Sequence, residues 1–99
     1  MGMSMKSAEY LVEKHLANAA DGHSDACFEL GVAYSCGSGV AVDLVEAHKW
    51  FNLAAVAGDE RGQQLRAEVA EEMTAREIAE AQRQARAWLA ARNPMRQAA

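Results

Sequence analysis

Residues 22–58 read GHSDACFELGVAYSCGSGVAVDLVEAHKWFNLAAVAG. At the centre of this stretch, Gly37-Ser38-Gly39-Val40 places two glycines two positions apart, which permits a sharp reversal that a residue with a β-carbon makes only at a cost. The reversal separates two segments of helical character. Before it, Ser24 is a good N-cap residue and opens a helix expected to run to about Cys36. After it, Asp43 with Glu46 three residues later resembles a capping box, and Leu44, Ala47, Trp50, Phe51, Ala54 and Ala55 fall on one helical stripe. Gly58 is the expected stop. The stretch therefore predicts two antiparallel helices joined by a tight turn.

Related signals flank this unit. Ala19, Gly22 and Ala26 reappear as Ala55, Gly58 and Gly62, a period of 36 residues that marks a repeat architecture. On the N-terminal side Ala8, Leu11, Val12, His15, Leu16 and Ala19 line one face of a helix over residues 7–20, stopped by Asp21 and Gly22. On the C-terminal side Asp59 caps a fourth helix, expected to reach Met73 and to carry Leu65, Val69 and Met73. Thr74 and Glu77 have true capping-box spacing for a fifth helix. This last helix is expected to bury Ile78, Ala81, Ala85, Trp88 and Leu89 and to end at Asn93-Pro94.

Composition agrees with helices throughout. Alanine makes 22 of the 99 residues, while Val, Ile and Thr together make 9, so the best helix former dominates and strand formers are scarce. The length suits one domain rather than two cores. The expected fold is all-α: a short superhelical solenoid of about five antiparallel helices in a single domain, with an entry helix over 1–22, a complete repeat over 23–58 and a closing helix pair over 59–99. No isolated helix of this length is stable in water, so each needs its neighbours.

The residues of the complete unit resemble the Sel-like repeat (SLR), a branch of the tetratricopeptide-type helical solenoids. Gly22, Ala26, Leu30, Gly31 and Tyr34 stand on the first helix and its approach; Gly37, Gly39 and Val40 form the turn; Asp43, Ala47, Trp50, Ala54, Ala55 and Gly58 complete the pattern. The second copy departs from it, with Gly62 where the family has alanine and no Leu-Gly, Tyr or Gly-x-Gly-Val. Helices four and five are therefore read as a closing pair that covers the end of the stack. The resemblance implies a protein-interaction module, an adaptor or scaffold without catalytic activity. It also implies that a partner lies on the face made by the first helix of each pair, where the residues outside the packing pattern, Glu29, Val32, Ser35, Gln63 and Arg66, are the candidate contacts. So short an array offers a small interface, and end-to-end homodimers are one way to enlarge it.

Other chemistries find little support in the residues. Cys27 and Cys36 fall nine residues apart on one expected helix, about 13 Å at 1.5 Å per residue, too far for a disulfide. Free thiols suit a reducing compartment. His15, His23 and His48 lack zinc-site spacing, so neither a metal nor a cofactor is expected. The Gly37-Ser38-Gly39 turn has no following Lys-Ser or Lys-Thr and is not a phosphate loop. No apolar run reaches the roughly 18 residues of a membrane span, and no signal peptide is read at the start. The expected address is the cytoplasm. A formal charge of −4 disfavours general nucleic-acid binding. The alternative reading is a small nucleic-acid-associated protein, because Arg83, Arg86, Arg92 and Arg96 gather at the C-terminal end with no acid among them.

Overall fold

The computed structural model describes residues 5–92, with side chains described from Ser7 onward. Five helices make up this span and it contains no strand: α1 (Met5–Ala20), α2 (Ser24–Cys36), α3 (Leu44–Val56), α4 (Glu60–Ala70) and α5 (Ala75–Arg92). The all-α expectation holds, and α2 ends at Cys36 as read from the sequence.

The links follow from local chemistry. At the end of α2, Gly37 adopts φ 77° and its N–H, with that of Ser38, donates to the Ala33 carbonyl at 2.8 and 3.0 Å, which satisfies the helix end. Gly39 has φ 80°, and a β-carbon there would sit 2.5 Å from the Ala8 carbonyl oxygen. The turn is thus pressed against α1 as well as reversing the chain. The Asp43 carboxylate accepts from the Glu46 N–H at 3.1 Å, as its spacing predicts. Glu46 does not return the bond; its carboxylate takes Lys49 at 2.6 Å. The Thr74–Glu77 box closes in both directions, at 3.1 and 2.8 Å.

Two expectations need correction. Ser24 is the first residue of α2 rather than its N-cap; His23 holds that position in an extended conformation and gives no side-chain cap bond. The three-residue link is closed from the other side, by the His23 N–H donating to the Asn18 carbonyl at 3.1 Å. The second correction is that α4 stops at Ala70, and Met73 lies in the following turn. Its side chain still packs on the core beside Val69. Asn93, Pro94 and Arg96 lie outside the described residues.

The middle helix, α3, packs against α2, α4 and α5, whereas α1 packs against α2. Phe51, 1 % exposed, lies between α2 and α4. A β-carbon at Gly31 would overlap the Phe51 ring, and one at Gly62 would fall 2.5 Å from the Phe51 carbonyl oxygen and 2.9 Å from the Ala54 β-carbon. Glycine therefore lets both neighbours close on α3, which explains why the fourth helix carries Gly62 where the repeat pattern has alanine. On the remaining side Trp50 meets Trp88 of α5 edge to face, with ring centres 4.9 Å apart. Helix α5 runs on to the end of α1, where Arg92 donates to the Ala19 carbonyl and complements the negative end of that helix. Tyr34 is half-buried and Trp50 is buried, so both rings face the packing.

Candidate interaction groove

Because α1 has α2 as its neighbour, the stripe of apolar residues along α1 is only partly covered. Val12 and Ala19 are buried, but Leu11 and His15 are half-exposed. Facing them, Asp25, Glu29, Val32 and Cys36 recur at intervals of four, three and four residues along α2, which places them on a single stripe. The two stripes form the walls of a groove. Its apolar half, about 180 Å³, is lined by Leu11, Val12, Val32, Ala33 and Cys36 with the polar His15, Glu29 and Ser38. Its polar half, about 330 Å³, is lined by Lys14, Asn18, His23, Asp25 and Ala26, and shares His15 and Glu29 with the first.

The carboxylates of this groove are open to a ligand. Asp25 accepts from its neighbouring Ala26 N–H at 3.1 Å. Among the described residues neither Asp25 nor Glu29 enters an ion pair. Arg61 of α4 binds Asp59 at 2.7 Å and stacks 4.0 Å above the Phe28 ring, and from there it interacts electrostatically with Glu29 and Asp25.

The five contact residues expected from the sequence divide. Glu29, exposed, and Val32, half-buried, both line the groove. Ser35 is on the same helix, and its hydroxyl donates back to the Val32 carbonyl at 2.9 Å. Gln63 is exposed on α4. Arg66 on α4 donates to Asn52 Oδ1 at 2.9 Å and so ties α4 to α3. In the groove Glu29 and Val32 face α1, and Val32 also packs against the cluster of Ala47, Phe51 and Val69. The residues of α1 were read as core because their spacing is that of a buried stripe. What exposes them is that α5 reaches α1 only near Ala19 and leaves Leu11 and His15 with α2 alone, which periodicity does not encode.

A second cavity of about 220 Å³ lies between Ala19, Cys27, Leu53, Val56, Trp88, Leu89 and Arg92. Its polar groups are already used or quiet. The Arg92 guanidinium serves the α1 end and sits 5.8 Å from the Trp88 ring centre. Burial pushes the Cys27 thiol above its ordinary range, with Arg92 opposing the shift, so it stays protonated and is a poor nucleophile. Cys36 is exposed, and both thiols are free. Among the described residues no group of three His, Cys, Asp or Glu side chains is placed to hold a metal ion.

Helix α5 carries Arg76, Arg83, Arg86 and Arg92. Arg83 is paired with Glu80 at 2.6 Å, which holds that carboxyl down to about 2 with help from Gln84. Arg86 is exposed. No helix among the described residues is long and apolar enough to cross a membrane.

No protein-family model matches the chain, and no curated protein matches it.

Proposed function

We propose that this chain is a Sel-like-repeat interaction module, an adaptor without catalysis of its own, that holds a segment of a partner protein in the groove between α1 and α2. The observation that carries the reading is the groove itself, where an apolar floor adjoins two carboxylates with no ion-pair partner. Apolar side chains left half-covered beside exposed carboxylates that form no direct ion pair favour a ligand that supplies both complements. The small-residue approaches at Gly31 and the Gly37–Gly39 turn support the repeat assignment. Free thiols favour a reducing, cytoplasmic setting.

Affinity capture from the native lysate tests it, with Glu29→Lys and Val32→Ser beside wild type and Gln63→Ala as the control on α4. Arg66 is avoided because its loss would disturb the α3–α4 contact. A partner retained by wild type and the control, and lost from both groove variants with their helicity intact, supports the assignment. Equal capture by all four proteins removes it.

A further inference from the structure

Resting on the groove reading above, we infer that the partner segment is a basic peptide that presents one bulky apolar side chain and, about 10 Å from it, a lysine or arginine. The polarity of the groove specifies this separation. Along α2 the apolar pair Val32 and Cys36 lies toward the C-terminal end and the acidic pair Asp25 and Glu29 toward the N-terminal end. Their midpoints are seven residues apart, roughly 10 Å at helical rise. Leu11 and Val12 deepen the apolar end, while the acidic end contributes two exposed carboxylates, with Lys14 in the same recess and Arg61, already bound to Asp59, acting on both at longer range. A side chain of leucine size fits the roughly 180 Å³ apolar recess. A long cationic side chain then reaches Glu29 and Asp25 without desolvating them fully, since Glu29 and Asp25 are exposed. An acidic segment would face two like charges, a repulsion that excludes wrong partners more strongly than the attraction adds affinity.

The probes are fluorescein-labelled alanine-glutamine peptides carrying one leucine and one arginine. The two sit about seven positions apart for a helical ligand or about three apart for an extended one. Control peptides replace arginine by glutamate or leucine by alanine. Anisotropy titration at low salt is expected to show one of the leucine-arginine probes binding at about 0.1 mM or tighter, the range of a small interface. Replacing its arginine by glutamate should weaken binding about tenfold or more, and raised salt should reduce the difference. Glu29→Lys should reverse the preference, favouring the glutamate peptide, which a merely unfolded variant would not do. Val32→Ala should weaken the leucine-containing probes and leave the alanine control unchanged. Equal or tighter binding of the glutamate peptide by wild type overturns the charge assignment and leaves the groove as a docking site. Absence of binding by every probe overturns the peptide chemistry, while the lysate capture tests the module reading independently.

Discussion

At the scale of single residues, His48 is the clearest case of a group the pattern of spacing hides. It is 3 % exposed, and its Nδ1 has no hydrogen-bond partner. The expected α3 stripe ran through Leu44, Ala47, Trp50, Phe51, Ala54 and Ala55; the middle four are buried, and Leu44 and Ala55 at its ends are half-buried. His48 and Leu53 are buried as well, because α3 has neighbours on three sides and its covered arc is wider than one stripe. A helix's periodicity reveals where its main face lies, but the number of partners decides how far burial spreads around it. Burial lowers the His48 pKa below the usual imidazole value, with the Arg66 charge adding to the effect. The folded state therefore favours the neutral ring. The unfolded chain takes up a proton as pH falls through about 6.5, so stability is lost from that point down to the lower folded-state value. The melting temperature of wild type should fall between pH 7.5 and 5.0 more steeply than that of His48→Leu, which carries no such group. Parallel curves for the two proteins would show that the ring ionises freely in the fold.

At the scale of elements, the chain's punctuation was readable wherever a side chain or a glycine acts on its own neighbours. The Gly37–Gly39 reversal, the Asp43 and Asp59 caps and the Thr74–Glu77 box are all interactions within a few residues. Thr74→Ala should lower stability by about 1 kcal/mol, measured by urea unfolding. A loss below about 0.2 kcal/mol would mean that packing of α5 on α3, rather than its cap, fixes where that helix begins. Less readable were the start of α2 and the end of α4. At the first, Ser24 looked like a cap, yet the short link from α1 is held by the Asn18 carbonyl and puts His23 in the capping position. At the second, the apolar spacing continues through Met73, which remains in the core although the helix has ended. Burial alone does not distinguish a helical residue from one in the turn that follows it.

At the scale of the whole molecule, the order of helices was legible and their neighbours were not. An array read as successive pairs suggested that the exposed working face would join α2 to α4. In the fold α3 gathers α2, α4 and α5 around it, while α1 packs along α2 and meets α5 near Ala19, and a groove opens between α1 and α2. Glu29 and Val32 were named from the sequence because they lie outside the packing pattern of α2. Leu11 and His15 were missed because they lie inside the pattern of α1. The division reflects long-range packing: which helix a stripe meets is settled by the Phe51 approach to Gly31 and Gly62 and by the Trp50–Trp88 contact, all between segments distant in the chain. The proposed docking groove lies on a part of the surface this packing leaves uncovered.

The most direct measurement is photo-crosslinking in the native cell with a photoreactive amino acid placed at Glu29 and, as a comparison, at Arg86 on the outer face of α5. The account predicts a discrete adduct of this chain with a second protein from position 29 and none of the same mass from position 86. Adducts from position 86 alone would contradict it and would place the working surface on the arginine-bearing helix.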